Sequence, residues 1–323
     1  MGNEAGGPLS GLLGRSGAMK SLRDEIGRVG PTDLRIHIHG ETGTGKEQVA
    51  RALHVISPRA RVPLVPFNAA GYSDELVEAE LFGHTRGAFT GAHLAREGYV
   101  AAAEHGTLFL DEVADLTSRA QAKLLRFLDD GEYHRLGETV ARRADVRVLS
   151  ATNVDLGEWV RQRRFREDLW YRLKDHCIHV PPLRERGGDI LFLARHFLQL
   201  GAAGRNLRLG REAEAALARY SWPGNVRQLE KEMRRVAVMA AGDQVEPAHF
   251  SVEVQHRELV PGGDLRAARD EFERAHVRRV LDRHGGVRTA AAAELGITRQ
   301  ALVAKIRRLR IFGEVPATTG RAR

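Results

Sequence analysis

Cysteine occurs once in these 323 residues, at Cys177, so one chain can build neither a disulfide framework nor a cysteine-ligated metal centre. In the apolar stretch HCIHV this thiol is expected to pack in a core rather than act as a nucleophile. No hydrophobic run approaches the ~20 residues that cross a bilayer. The start, MGNEAGGPLSGLLGRSG, has no basic segment followed by an apolar one, so a cytoplasmic protein without a membrane partner is expected. Aromatic residues are scarce at 6%, yet 42% hydrophobic and 28% charged residues make an ordinary globular mixture, not a fibrous or disordered one. The fourteen histidines show no HExxH and no paired ligand spacing, so a metal is expected only in company with a nucleotide.

Positive charge is distributed unevenly. Bases exceed acids by eight overall, and from Pro261 onward fourteen bases face seven acids, which puts nearly the whole surplus at the C-terminal end. A near-neutral body with a basic terminal module is an electrostatic footprint for nucleic acid.

In the body, LRIHIH (34–39) runs into GETGTGKE and then the helix-like EQVARALHVI, a strand, a loop and a helix. Apolar runs at 62–68, 106–113, 146–153 and 177–183 alternate with helix-like segments, which implies a parallel sheet covered on both faces. After Pro181-Pro182 the strand signals cease and helices are read at 189–200, 211–222 and 226–240. Residues 252–264 carry Pro and Gly without periodicity and read as a linker.

Gly40-Glu41-Thr42-Gly43-Thr44-Gly45-Lys46 fits the P-loop pattern between a strand and a helix. Its backbone N–H groups and the helix N-terminus suit phosphates, and Lys46 can reach the β and γ phosphates. Glu47 stands where most P-loops place the Ser or Thr that ligates Mg²⁺. Leu108-Phe109-Leu110-Asp111-Glu112 is an apolar run ending in two acids, which a buried strand tolerates only at its functional edge. Asp111 is expected to hold Mg²⁺ through water and Glu112 to orient and deprotonate the attacking water. Asn153, in Ala151-Thr152-Asn153, ends another strand and could sense the γ phosphate.

The run Glu80-Leu81-Phe82-Gly83-His84-Thr85-Arg86-Gly87-Ala88-Phe89-Thr90-Gly91-Ala92 resembles the signature of sigma-54-dependent activators (bacterial enhancer-binding proteins) within the AAA+ ATPases. The resemblance covers about residues 12–250 and also accounts for Glu47, since the family has Glu after the P-loop lysine. It implies an ATPase fuelled by ATP and Mg²⁺, and a loop, Gly87, Ala88, Phe89, Thr90, Gly91 and Ala92, that grips sigma-54 bound to RNA polymerase. By the same resemblance Asn68 holds the catalytic glutamate until the nucleotide state changes, and Arg166 and Arg172 reach a neighbouring subunit's nucleotide in a homo-oligomeric ring, usually of six. Arg227 in Trp222-Pro223-Gly224-Asn225-Val226-Arg227 is implied to reach phosphate from a helical lid. The segment 129–147 falls where the family has a second pore loop, with Glu138 after Gly137 in place of a second small residue. In the residues' own terms, small residues make the GAFTGA loop pliable, Phe89 supplies an exposed apolar anchor and Thr90 a hydroxyl.

Beyond the linker, 266–283 has helical periodicity, and the helices VRTAAAAEL and TRQALVAKIRRLR meet at Gly296-Ile297, the helix-turn-helix pattern. Thr298 is expected to cap the second helix and to place Arg299, Gln300 and Lys305 at double-stranded DNA. This module resembles the Fis-type DNA-binding domain. The expected fold class is therefore an α/β AAA+ P-loop NTPase with a helical lid, followed by an all-α helix-turn-helix domain. The expected division is 1–12 tail, 13–179 α/β subdomain, 180–252 lid, 253–265 linker, 266–313 DNA-binding domain and 314–323 tail. About a dozen residues precede the ATPase-like region, too few for a receiver or ligand-sensing domain, so control is expected from an inhibitory regulator in trans, from expression, or from a longer gene product. Two alternatives remain: a DNA-binding regulator whose ATPase only sets its oligomeric state, and another AAA+ machine such as a clamp or helicase loader.

Overall fold

The computed structural model describes residues 9, 11–255, 265–285, 287–309 and 311. Contacts divide the chain into two compact units after Gln255. The tail expected at 314–323 and residues 256–264 of the expected linker lie outside the described residues.

In the first unit β1 (Ile36–His39), β2 (Leu64–Asn68), β3 (Thr107–Asp111), β4 (Arg147–Thr152) and β5 (His176–His179) form one parallel sheet in the order β2-β3-β4-β1-β5. Period-two alternation sends side chains of the inner strands into two cores. Ile36, Ile38, Phe109 and Leu149 pack with Met19, Leu22 and Ile26 of α1 (Gly17–Val29) and Val49 and Leu53 of α2 (Lys46–Val55). Leu108, Leu110 and Val148 pack with Val77 and Leu81 of α3 (Asp74–Phe82), Leu124 of α4 (Ser118–Asp130) and Leu169 of α5 (Glu167–Leu173). Leu12, in the segment expected to be a tail, is buried against the first of these cores.

The alternation in LRIHIH marks a half-buried strand, but the structure buries the polar position as well. His37 is 1% exposed, because α5 covers that side: its Nδ1 lies 2.9 Å from Ser150 Oγ and its ring meets Trp170 edge-on at 4.9 Å. Burial, then the nearby His39, Lys174 and Lys46, push its pKa down to about 3. Between pH 6.5 and about 3 the unfolded chain takes up this proton and the folded one does not, so the folded state is favoured as pH rises through that window. Denaturant melts from pH 6.5 to 4.5 should lose up to ~1.4 kcal/mol per pH unit to this one residue. In His37→Gln that part of the slope should vanish, and an unchanged slope would refute the assignment.

Cys177 corrects an expectation. It is exposed, because β5 is the sheet's edge strand and only Ile178 of HCIH faces inward.

The rest of the first unit is largely helical, with α6 (Asp189–Gly201), α7 (Arg211–Arg219) and α8 (Asn225–Met239) around a core of Leu193, Phe197, Leu217, Trp222, Leu229, Met233 and Val236. The helix expected over 211–222 stops at Arg219. Trp222 adopts a left-handed φ of 54°, is wholly buried, and donates its indole N–H to Leu217 O at 3.0 Å, so burying that ring ends the helix. A two-residue parallel pair, Arg208–Leu209 with Gln244–Val245, is too short to leave a pattern in sequence. Val252–Gln255 is a helical turn with Val254 buried, so what reads as the start of a linker is packed helix. Two buried charges join this helical part to the start of α1 and to the P-loop. Asp189 accepts from Arg15 N (2.5 Å), Ser16 N (2.9 Å) and Ser16 Oγ (2.6 Å), while Arg186 donates to Pro181 O (2.9 Å) and Thr44 O (2.8 Å).

The second unit holds α9 (Leu265–Arg283), α10 (Arg288–Glu294) and α11 (Arg299–Arg308) around Val277, Val280, Leu281, Ala291, Ala292, Leu302 and Ile306. Gly296, at φ 63°, supplies the left-handed turn between α10 and α11, a conformation that costs glycine nothing. Arg274 Nε caps the end of α11 through Leu309 O at 2.8 Å.

Candidate nucleotide site and its neighbours

Aligned strand ends gather the polar residues. Asn68 is the registered partner of Asp111, and His39, which precedes the P-loop, is paired with Thr152. The loop 40–45 thus opens at the carboxyl edge of the sheet beside β1, where α/β folds bind ligands. Gly43 has φ 78°, and a Cβ there would lie 2.4 Å from Gly224 O of the helical part, so only glycine fits. Lys46, 7% exposed, donates to Gly40 O at 3.0 Å and lies 3.7 Å from Glu112 Oε1.

A cleft of about 290 Å³ is lined by Thr42, Gly43, Lys46, Glu47, Asp111, Glu112 and Arg227, among others. Asn153 meets it through Thr42 Oγ1 at 3.0 Å, and Arg227 N bonds Gly43 O at 3.2 Å. Gly45, Gln48, Val226 and Glu230 also line a second cavity of about 280 Å³ whose wall includes Leu12, Leu13, Met19, Leu22, Val180 and Phe197. A polar cleft sharing a wall with an apolar cavity is the shape of a phosphate-bearing planar base.

Burial holds the Asp111 carboxyl above its usual pKa, against the lowering by Lys46. It accepts from Asn68 Nδ2 at 3.4 Å and Glu112 N at 3.1 Å, leaving acceptor capacity for a cation. Glu112 takes φ 50°, ψ 49°, turning away from its strand toward Lys46. Asn68 is bonded here to Asp111 and not to Glu112: strand register sets 68 opposite 111, and the left-handed residue departs. Glu47 lines the cleft yet pairs with Arg51 at 2.6 Å one turn on.

The contact that sequence reading missed is Asn225. Wholly buried at φ 51°, it accepts from Leu183 N (2.8 Å) and donates to Glu41 Oε2 and Thr42 O (both 3.1 Å). Glu41 in turn takes two bonds from Arg184, at 2.6 and 2.8 Å. Arg184 and then Asn225 draw the Glu41 pKa down to about 2. Pro-Gly followed by Asn was the available signal, since Asn tolerates the left-handed region.

Arg166 and Arg172 do not line this cleft. Both are about half exposed, Arg166 held by Asp168 (2.8 Å) and Arg172 by Asp129 (2.5 Å).

The GAFTGA loop rises between two short antiparallel segments, Gly83–His84 and Arg96–Glu97, closed by Gly87 N to Ala92 O at 2.8 Å. Thr90 is exposed, but Phe89 is half-buried with its ring 5.0 Å from His84, not the free anchor expected. The exposed large apolar residue is Leu94, at 78%. The segment 129–147 abuts this loop: Thr85 N donates to Leu136 O at 2.9 Å, and a Cβ on Gly137 would meet Thr85 Oγ1 at 2.5 Å and Ala88 Cβ at 3.0 Å. Glu138, the departure from two small residues, pairs with Arg142 at 3.0 Å.

In the second unit Thr298 caps α11 through Ala301 N at 3.2 Å, and Arg299 and Gln300 are exposed. Lys305, expected at DNA, is turned toward α9. It pairs with Glu273 at 3.1 Å, because its place on α11, beside the buried Leu302, Ile306 and Leu309, turns it toward α9.

Comparison with known proteins identifies the parts of the chain. The sigma-54 interaction domain family matches residues 12–179, the AAA+ ATPase lid domain 184–262, and the Fis family of bacterial regulatory proteins 268–309. The alginate biosynthesis transcriptional regulatory protein AlgB of Pseudomonas putida is 46% identical over 301 residues, covering 92% of this chain and 67% of AlgB. The transcriptional regulatory protein ZraR of Klebsiella oxytoca is 43% identical over 305 residues, covering 92% and 69%. The crystal structure of NtrX from Brucella abortus in complex with ADP superposes at a TM-score of 0.69 and 37% identity, covering 92% of this chain and 68% of NtrX. The chain spans about two thirds of the length of these relatives. Sheet order, P-loop and helical lid define an AAA+ P-loop ATPase that binds nucleotide, joined to a helix-turn-helix domain. Within that class the chain belongs to the sigma-54-dependent transcriptional activators. Among the described residues no helix is long and apolar enough to cross a membrane.

Proposed function

We propose that the protein binds upstream DNA through its helix-turn-helix unit and uses ATP hydrolysis to drive the GAFTGA loop against sigma-54 in RNA polymerase holoenzyme, remodelling the closed promoter complex. The observation that carries this reading is one loop with Thr90 exposed at its tip and its stalk braced at Gly137, built onto a subunit whose cleft gathers the P-loop, Lys46, Asp111 and Glu112.

Gly40, Glu41, Thr42, Gly43, Thr44 and Gly45 wrap the phosphates, with Lys46 as their counter-charge. Asp111 is the residue that would hold Mg²⁺, and its buried carboxyl with spare acceptor capacity fits a hard cation. Held there, the ion would supply positive charge to offset the negative charge of the phosphates. Glu112, released from its strand by the left-handed turn, takes the proton of the attacking water. Asn153 and Arg227 read the γ phosphate from the sheet and the lid.

Arg166 and Arg172 are exposed and outside their own subunit's cleft, which suits insertion into a neighbour's, so the active form is a homo-oligomeric ring, hexameric as is usual for the family. Thr298, Arg299 and Gln300 are assigned to the major groove, where Arg and Gln favour guanine and adenine edges respectively. An inhibitory regulator acting in trans is the proposed means of control.

Thr90→Ala tests this reading. ATP turnover should stay within about two-fold, while sigma-54-dependent open-complex formation, followed by permanganate reactivity of the melted promoter, should fall at least ~10-fold, as when a central interface anchor is lost. Undiminished promoter melting would leave a DNA-bound ATPase of other purpose.

A further inference from the structure

Three aromatic residues connect the two ends of the proposed machine. Phe67, buried, immediately precedes Asn68. Its ring stacks on Tyr72 at 5.4 Å and meets Tyr99 edge-on at 5.2 Å. The Tyr72 and Tyr99 hydroxyls are 2.9 Å apart, and this bond, ahead of partial burial, pushes the Tyr72 pKa up to about 12.

Their places in the chain give the contact its meaning. Asn68 uses both ends of its amide: Nδ2 donates to Asp111, and Oδ1 accepts from Ala70 N at 3.0 Å, capping the single turn Ala69–Gly71. Tyr72 closes that turn through its own N–H to Ala69 O at 3.4 Å. Tyr99 opens the turn Tyr99–Ala102, directly after Gly98. Gly98 touches the other foot of the loop so closely that a Cβ would lie 2.3 Å from Gly83 N. Beside this path Arg96, on the descending arm, pairs with Glu80 of α3 at 2.6 Å.

We infer that the Tyr72–Tyr99 hydroxyl pair is a positioning relay, by which a change in what Asp111 binds is passed through the Asn68 turn to the foot of the GAFTGA loop. The inference rests on the proposed function and adds the residues that transmit its stroke. When the Asn68 amide exchanges Asp111 for another partner, the turn it caps must move with it. Tyr72 stands at the end of that turn. Its phenol is tethered in two ways, by ring stacking on Phe67 and by the bond to Tyr99. Stacked rings can slide over one another with their planes kept parallel, whereas the hydroxyl bond fixes where Tyr99, and with it Gly98, sits relative to the turn. Coupling of this kind is reciprocal, so sigma-54 held at the loop should also alter nucleotide affinity through the same bond.

Tyr72→Phe and Tyr99→Phe each delete one hydroxyl and keep the ring, so packing and fold should survive. The readout is tryptic cleavage after Arg86, exposed beside the loop, followed by mass spectrometry with ADP and with a non-hydrolysable ATP analogue. Wild type should differ between the two states. In either variant the difference should shrink about five-fold, the factor one net hydrogen bond allows, and open-complex formation per ATP hydrolysed should drop alongside while ATP turnover stays within about two-fold. A purely structural role would lower thermal stability and turnover together and leave the nucleotide difference intact, and that outcome overturns the relay. Wild type cleaved identically in both states, with no engagement of sigma-54, would instead overturn the proposed function and the relay with it.

Discussion

Replacing Glu112 by Gln should lower ATP turnover by ~10²–10⁴-fold, the usual contribution of a positioned general base, while nucleotide affinity changes little. The side chain sits 3.7 Å from Lys46 with its backbone in the left-handed region, and Gln has the same volume and reach. Phosphate binding through Lys46 and the P-loop backbone is untouched by the exchange, so only proton removal from water is lost. Titrating a fluorescent ATP analogue alongside steady-state turnover separates the two effects. Unchanged turnover would pass the role of base to another acid of the cleft, with Asp111, which also stands at a strand end, first in line.

The largest effect expected from a residue remote from the cleft belongs to Arg166. A finger arginine contributes ~10³–10⁵ in rate where one has been removed in other NTPases, and Arg166→Ala should lose turnover on that scale without unfolding. In the isolated subunit Arg166 is half exposed and engages Asp168 and, by its backbone N–H, Gln121 Oε1 at 3.0 Å. The exposed ion pair contributes little to stability. Mixing gives the decisive experiment. Arg166→Ala subunits keep Glu112, and Glu112→Gln subunits keep Arg166, so neither ring turns over alone. A mixed ring contains boundaries where both groups are intact. Recovery of turnover on mixing, measured by phosphate release, is the expected result. Silence after mixing, with subunit exchange verified, would mean that the arginine acts within its own subunit.

Most of what places the site was legible in sequence, for reasons that differ by residue. Gly43 and Lys46 announced themselves because a phosphate cradle needs backbone approach and a long cation at fixed spacing, which is local information. Asp111 and Glu112 were visible because a buried apolar strand tolerates two adjacent acids only where it ends at a polar edge. β3 and β4 were legible because runs buried on both faces are continuous in apolar character, and β1 because LRIHIH alternates. The Fis-type unit was read from a basic, helical segment broken at Gly296, again a local pattern.

What escaped depended on residues distant in the chain. Asn225 touches Glu41 and Thr42 from more than 180 positions away, and nothing in its own neighbourhood names those partners. Cys177 looked like core because its neighbours are apolar, and only the edge position of its strand exposes it. Lys305 was expected at DNA, and its partner Glu273 comes from α9. The Asn68–Asp111 bond follows from strand register, which pairs residues 43 positions apart. Tyr72 and Tyr99 belong to no motif, and only the return of the chain after the loop sets their hydroxyls together. Local chemistry, which a sequence carries directly, thus determined the kind of machine this is: P-loop, paired acids, GAFTGA loop and basic helical module. Partner choice among side chains was decided by tertiary structure alone, because strand register, edge position and helix face fix which groups meet and leave no periodic trace along the chain.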